Sequence, residues 1–186
     1  MTRPLPRIET PRTTIRLAET ADAPQVLDYY WRNREHLEPF EPLRSPNFYE
    51  ESAWVLRIAF FLDSFQADRS LNLFMFSKSD PSRVIGAIGF SNIVRGAFQA
   101  CYLGYGVDQA YEGKGYMREA LHASIAYVFD ELRLHRIMAN YMPFNHRSGR
   151  LLHRLGFVVE GYARAYLQIN GKWEDHVLTS LTNLKL

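Results

Sequence analysis

The 186-residue chain concentrates its chemistry in Val107-Asp108-Gln109-Ala110-Tyr111-Glu112-Gly113-Lys114-Gly115-Tyr116. A β-branched, aromatic pattern ends at Val107, two glycines follow one residue apart, and an amphipathic helical pattern starts at once. Glycine lets the backbone turn sharply and approach a ligand with no Cβ in the way. The unpaired N–H groups of a first helical turn, with the helix dipole, favour an anion, and a pyrophosphate is the natural guest. A Walker loop needs G-x-x-x-x-G-K-[ST], but Lys114 is followed by Gly115. A dinucleotide fingerprint needs a third glycine after Gly104 and Gly106, where Gln109 stands. A ligand-free strand–helix turn explains a bare G-x-G equally well.

A second cluster is basic. Between Arg133 and Arg154 lie Arg133, Arg136, Arg147, Arg150 and Arg154, with His135, His146 and His153 among them and no acid. A solvated face accounts for such a run; a multiply phosphorylated ligand is the sharper reading. Other chemistries find no support. The six histidines form no H-E-x-x-H and nothing pairs with cysteine at a zinc spacing, so no metal is expected. There is no G-x-S-x-G, and Cys101 lies mid-strand, the place of a small buried hydrophobe. A net charge of +2, from 22 basic and 20 acidic residues, is too even for a dedicated nucleic-acid binder, and no DNA partner is expected.

The elements that must position these residues can be read in order. A strand over Thr13–Leu17 leads to a helix opened by Asp22, with Pro24 in its first turn and Gln25 at capping-box spacing. A loop with Pro39, Pro42 and Pro46 follows. Ser45 caps and Pro46 starts a long helix to about Ala67, with Trp54, Ile58, Phe61, Leu62 and Phe65 on one stripe. Leu71–Ser77, Val84–Ile93 and Ala100–Val107 read as strands. Met117, Leu121, Ser124, Ile125 and Val128 mark a helix ending near Leu132. A strand over Arg136–Met142 meets Pro143, Asn145 caps a helix closing at Gly156, and strands over Val158–Leu167 and Trp173–Leu181 flank an Asn170-Gly171 hairpin turn. The order is α+β rather than strict alternation.

Length and a hydrophobic fraction of 47% fit one domain, residues 10–186, behind a loose Pro- and Arg-rich tail at residues 1–9. The tail lacks the apolar stretch of a signal peptide, and no apolar run approaches the ~18 residues of a membrane span. With a single cysteine, a reducing cytoplasm is the expected location and no membrane partner is expected.

Tyr111-Glu112-Gly113-Lys114-Gly115 resembles the acetyl-CoA pyrophosphate loop, [QR]-x-x-G-x-[GA], of the GNAT superfamily of N-acetyltransferases. Two longer runs, Phe90–Met117 and His135–Thr182, are closely similar to RimJ-type ribosomal-protein-alanine N-acetyltransferases. So is the Asn33-Arg34-Glu35-His36-Leu37 segment with Pro39, Phe40 and Pro42. The likeness extends from about Thr10 over nearly the whole chain. It implies a GNAT fold: a central mixed, mostly antiparallel sheet with splayed fourth and fifth strands, flanked by helices.

It also implies acetyl-CoA as co-substrate, wedged between those strands. Val107 would offer backbone groups to the pantetheine, and amides from Glu112, Gly113, Lys114, Gly115 and Tyr116 would hold the pyrophosphate. Asn145 would contact the cofactor near its thiol end, and Lys114, Arg147 or Arg150 would meet the 3′-phosphate. A neutral amine would attack the thioester directly in a ternary complex. The chain departs from relatives where some carry a fifth-strand Glu (here Asn140), a helical Tyr (here Leu152) and a loop Gln or Arg (here Ala110). Those departures leave the proton path open; Ser148, one turn into the Asn145-capped helix, is the candidate donor to the leaving thiolate. Asn140 is a candidate holder of a water that takes the amine proton. Asn92, Arg95, Tyr105, Tyr141 and Tyr166, with the Asn33–Pro42 loop, are candidates for the acceptor groove; core packing is the competing role for each tyrosine.

The resemblance implies that the acceptor is the N-terminal α-amine, Ala or Ser, of a small-subunit ribosomal protein, with a possible ribosome or pre-ribosome contact. An α-amine of pKa near ~7.7 is already partly neutral, which suits a site without an obvious carboxylate base. Two other functions fit the same fold: acetylation of a small amine or antibiotic, and a ribosome assembly factor that binds acetyl-CoA without turnover.

Overall fold

The computed structural model describes residues 3–185. Eight strands form one sheet in the order β1-β2-β3-β4-β5-β6-β8-β7. They are β1 (Arg7–Glu9), β2 (Thr13–Arg16), β3 (Leu71–Ser77), β4 (Val84–Val94), β5 (Ala100–Val107), β6 (Arg136–Met138), β7 (Val158–Ile169) and β8 (Lys172–Thr182). The helices are α1 (Ala23–Arg32), the single turn α2 (Arg34–Leu37), α3 (Glu51–Gln66), α4 (Tyr116–Asp130) and α5 (His146–Arg154).

Period-two alternation sorts the core onto two faces. Leu73 and Met75 of β3 join α4 residues Met117, Leu121, Ile125 and Val128 and α5 residue Leu152 on one face. Phe74 and Phe76 join Val26 and Tyr29 of α1 and Trp54 and Ile58 of α3 on the other. The apolar stripe expected on α3 is thus the buried side of that helix, with Trp54, Ile58 and Phe65 nearly inaccessible.

The sheet is antiparallel except where β5 runs parallel to β6. That parallel pairing covers only Ala100–Arg136, Cys101–Ile137 and Tyr102–Met138. Beyond it, β5 stays with β4 as far as Val107. The chain after β6 stays with β8 instead, through Ala139 N–H to Thr179 and a Tyr141–Val177 bridge. The expected strand over Arg136–Met142 is therefore a strand only to Met138, because its remainder has left β5. The divergence is the splay, and its apex lies at Tyr102 and Met138.

Three local expectations change. Arg7–Glu9 is not loose tail but an edge strand on β2, and Arg3 donates to Gln66 and Asp68; edge strands accommodate flanking proline and arginine. Met1 and Thr2 of that tail, and Leu186 of the expected domain, lie outside the described residues. Pro46–Tyr49 is a separate 3-10 turn, and Glu50 in extended conformation breaks it from α3. The capping box forms three residues early, between Glu19 and Asp22, and Asp22 also takes the Arg16 guanidinium rather than engaging Gln25. Asn170 and Gly171 both have positive φ, +45° and +80°, as a type I′ hairpin turn requires.

Candidate active site

The gap between β5 and α5 is a cleft of ≈ 470 Å³, walled by Tyr105, Gly106 and Val107, the Glu112–Arg118 turn, Asn145, Ser148 and the α2 residues His36 and Leu37. Asp108 N–H donates to Ile85 of β4 at 2.9 Å. Antiparallel alternation then turns the N–H and C=O groups of Val107 and Tyr105 away from β4, into the gap. They form a free strand edge with no neighbouring strand.

At the end of that edge Gly113 and Gly115 adopt φ +69° and +81°. Gly115 is the left-handed N-cap of α4. Left-handed backbone is where a side chain is costly, which accounts for both glycines. Among the described residues, the N–H groups of Gly113, Lys114, Gly115, Tyr116 and Met117 meet no protein acceptor. They are the orphan donors of a helix start and create an anion site.

The loop is held from both sides. Asn33, 1% exposed, accepts Gln109 N–H at 2.9 Å, and Asp108 takes Ala110 N–H at 2.9 Å and the Arg32 guanidinium. Burial alone would raise the Asp108 pKa, but Ala110 N–H and Arg32 outweigh it and hold the carboxyl below its ordinary value. From the other side Arg12 donates to the Lys114 carbonyl at 2.8 Å, pairs with Glu119 at 2.7 Å and lies 4.0 Å over the Tyr116 ring. Glu112 bridges the cleft mouth, its carboxylate 3.2 Å from His36 Nε2 and accepting from the Arg147 guanidinium.

Asn145 caps α5 as expected, its side chain accepting Ser148 N–H at 3.1 Å. The Ser148 hydroxyl is then free to meet Tyr105, Oγ to phenol oxygen at 2.8 Å. Burial pushes the Tyr105 phenol up to about 12, with Ser148 working in the other direction. Tyr105 thus belongs with Ser148 inside the cleft. Cys101 is fully buried, and burial pushes its thiol up to about 12, so it presents no nucleophile at neutral pH.

Several other candidates stand elsewhere. Lys114 folds back onto the Ala110 carbonyl at 2.8 Å and does not line the cleft. Arg95 is clamped by Asp68 at 2.5–2.6 Å and by the Leu132 carbonyl at 2.7 Å, and Asn92 is exposed in the bulge beside it. Arg95 sits past the Val94–Ala100 end of the β4–β5 ladder, roughly 17 Å from Tyr105 along the strand, and Asn92 follows the Ser91–Tyr102 pair, roughly 10 Å from it. Neither lines the cleft near which an acceptor groove was expected; Arg95 ties the hairpin to the ends of α3 and α4. Tyr141 packs against α5, where a Cβ on Gly149 would come within 2.8 Å of its ring. It faces a second groove, with His146 and His153, on the far side of α5. Asn140 does not line the cleft; its carbonyl accepts Thr179 N–H and its amide donates to Tyr166, both at 3.3 Å.

Sequence reasoning did not single out Arg12 or Arg118; it named Arg154 only within the basic run, and His36 and Phe40 only within the Asn33–Pro42 loop. Phe40 and Arg118 line the cleft from α2's end and from α4, and Arg154 from α5. The cleft's other face is also new. A Cβ on Gly106 would meet Leu37 and the Tyr29 hydroxyl at 3.2 Å, so Tyr102, Gly104 and Gly106 face away from α4. That face is crossed by a bridge: Asn170 N–H at the β7–β8 tip donates to the Glu41 carbonyl at 2.9 Å, and Gly171 lies against Leu43.

Among the described residues no group of three His, Cys, Asp or Glu is arranged to hold a metal, and no helix is long and apolar enough to cross a membrane.

Comparison with known proteins agrees with this geometry. The family described as "Acetyltransferase (GNAT) domain" matches residues 12–158. The chain is 48% identical to the [ribosomal protein uS5]-alanine N-acetyltransferase of Escherichia coli K12, over 96% of this chain and 92% of that protein. The crystal structure of a ribosomal-protein-S5-alanine acetyltransferase from Vibrio fischeri superposes with a TM-score of 0.92 at 40% identity, covering 96% of this chain and 97% of that one. Mycobacterium smegmatis RimJ in complex with CoA-disulfide superposes at 0.88 with 25% identity, covering 98% and 88%.

Proposed function

The chain belongs to the GNAT acetyltransferase family, and from that premise we propose that it acetylates the N-terminal α-amine, Ala or Ser, of a ribosomal protein. Acetyl-CoA is the acyl donor. The observation that carries the reading is the free edge of β5 running from the orphan amides of Gly113–Met117 toward the Tyr105–Ser148 pair. The 48% identity to a uS5-alanine enzyme supports the choice of acceptor.

The residues present suit acetyl-CoA. Unpaired amides, a helix start and Arg118, Arg147, Arg150 and Arg154 around the mouth suit its phosphates. The bare edge at Tyr105 and Val107 suits an amide-bearing arm, which can pair with it as a strand would. When bound, the cofactor supplies an acetyl group activated as a thioester. Ser148, backed by Tyr105, presents a hydroxyl where negative charge develops on the leaving group; one such donor is worth about 10²-fold in rate. A serine hydroxyl is too weak an acid to act alone, and the phenol behind it polarises its O–H bond. Positioning two reactants in one complex contributes about 7 kcal/mol or more, so no covalent enzyme intermediate is needed. Asn140, whose oxygen is bonded to Thr179, is suited to orienting neighbours rather than to proton transfer.

The bridge from Asn170 to Glu41 favours an extended chain end that threads beneath it over a bulky amine. The exposed arginines and histidines between Arg133 and Arg154 suit contact with a phosphate-rich ribosomal surface, and a cytoplasmic location follows from that substrate.

The test is a pair of peptides of one sequence, one with a free N-terminal Ala and internal Lys, the other N-terminally blocked. Intact-mass analysis should show one acetyl group on the first, at the α-amine, and little on the second. Equal rates on both would establish a lysine acetyltransferase instead. Reaction with aminoglycosides or polyamines alone would establish the small-amine activity, and acetyl-CoA binding with ribosome association but no transfer would establish the assembly role.

A further inference from the structure

Strand β7 is out of step with its partner at one place. Between the pairs Ala163–His176 and Leu167–Glu174, four steps along β7 match two along β8. The excess is thrown out as a bulge, and bulges re-aim side chains. This one is built. Ala165 takes φ +43°, a conformation that residues with a side chain rarely adopt. Asp175 holds it from both ends, accepting Ala165 N–H at 2.8 Å and the Tyr162 hydroxyl at 2.6 Å.

What the bulge aims is Tyr166. Its ring is backed by the buried His176 ring at 5.5 Å, and its hydroxyl meets the Asn140 amide at 3.3 Å. The donor count is fixed from outside. Thr179 N–H can only donate, so the Asn140 oxygen accepts from it and the Asn140 amide is left to donate to Tyr166. Burial and the neighbouring Tyr102 hydroxyl both raise the Tyr166 pKa, which keeps the phenol protonated. The phenol can then donate to Tyr102 and retains a second acceptor lobe.

That lobe is at the apex of the splay, where β5 and β6 part after Tyr102 and Met138. From Val107 to Leu103 the free edge of β5 measures roughly 13 Å, the span along which an acyl-carrying arm would lie with its reactive end near the apex. The strand face turned away from α4 is bare there. Gly104 is exposed, and a Cβ built on it would meet nothing within 4 Å.

We infer that Tyr166 is a positioning residue for the acceptor: its phenolic oxygen, set by the Asp175-held bulge and by Asn140, accepts a hydrogen bond from the α-amine as the chain end lies over Gly104. This rests on the acetyl-transfer reading above. It adds a determinant on the acceptor side and leaves the cofactor side to Ser148 and Tyr105.

The test uses the full chain and an acceptor peptide with N-terminal Ala. For wild type, Tyr166→Phe, Asp175→Ala and the double variant, it measures steady-state KM and kcat for peptide and acetyl-CoA. It also measures calorimetric binding of the peptide to the complex with CoA. Tyr166→Phe should raise the peptide KM and Kd about 5- to 20-fold, with the acetyl-CoA KM and thermal stability unchanged. Asp175→Ala should show the same selective loss, and the double variant should add little to either, because both remove one interaction. Additive losses, or acetyl-CoA and peptide affected alike, would show a merely structural role and overturn the inference, as would wild-type peptide binding in Tyr166→Phe. If the wild type acetylates no α-amine peptide while still binding CoA, the acetyl-transfer reading fails and the inference falls with it.

Discussion

The two faces of β5 meet their ligands with different materials. Toward α4 the groups on offer are mostly backbone: amides of Gly113–Met117 and the unpaired edge of Tyr105 and Val107, with Ser148 and the arginines at the mouth as the side-chain exceptions. Toward α1 and α2 the strand itself is stripped to Gly104 and Gly106, and on the proposed reading recognition of the acceptor falls to Tyr166 of β7 and Asn140 beyond β6. Short of proline, which removes an N–H, backbone groups cannot be deleted by substitution, only misdirected by a wrong φ. Side-chain groups can be deleted one oxygen at a time. The cofactor face should therefore fail through distortion and the acceptor face through single-atom losses.

The harshest test of that division is the glycine turn. Acetyl-CoA at 100 times its Kd should stabilise the native state by about 2.7 kcal/mol, a rise in Tm of roughly 5–10 °C for a chain of this size. Gly115→Val or Gly113→Val should remove most of that shift and nearly all activity while the protein still melts cooperatively. Retention of the full shift in both variants would reduce the loop to a connection. Next in size, Ser148→Ala should lower kcat on the order of 10²-fold with the acetyl-CoA KM little changed. Tyr105→Phe should lower it less, about 10-fold, since it removes only the group behind the donor. If pre-steady-state kinetics show a chemical step at wild-type rate in Ser148→Ala, the pair has no part in the reaction.

A gentler test concerns Glu112, whose carboxylate occupies His36 and Arg147 at the mouth. Neutralising it as Glu112→Gln should tighten acetyl-CoA binding a few-fold by calorimetry at low salt, with the gain fading as salt screens the site. Weaker binding would mean that the bridge shapes the mouth rather than competing for it.

The smallest effect is on acid stability. Arg95 and Arg3 hold the Asp68 carboxyl below its ordinary value, and Ala110 N–H and Arg32 hold Asp108 below it against the effect of burial. A depressed folded pKa gives stability that is complete above the unfolded value, near ~3.9, and is lost as pH falls through the lower folded value. Thermal melts should therefore be flat in these contributions from pH 5 to 7 and fall below about pH 4. Asp68→Asn should flatten part of that fall.

Most of the strand and helix plan was legible because it rests on local patterns: the α3 stripe, the Asn170-Gly171 turn, the Gly113 and Gly115 spacing, the Asn145 cap. What escaped depends on register between distant segments. Tyr105 was expected on the acceptor side because strand parity cannot be assigned without knowing which face α4 covers. Arg95 reads as an acceptor-groove candidate until Asp68, 27 residues away, is brought beside it. The tail hid a strand because three residues give no periodicity. The Tyr166 bulge left no mark in the sequence, since alanine at positive φ looks like any other alanine.

The turn between β1 and β2 carries a consequence for how the molecule breathes. Arg12 spans 107 positions of chain to reach Glu119 and also clasps the Lys114 carbonyl and the Tyr116 ring. Opening of the N-terminal hairpin and slackening of the cofactor turn should therefore occur as a single local event, not two. Amide deuteration across residues 7–16 should slow when acetyl-CoA binds, although those residues lie outside the cleft's lining, and Arg12→Ala should uncouple the two.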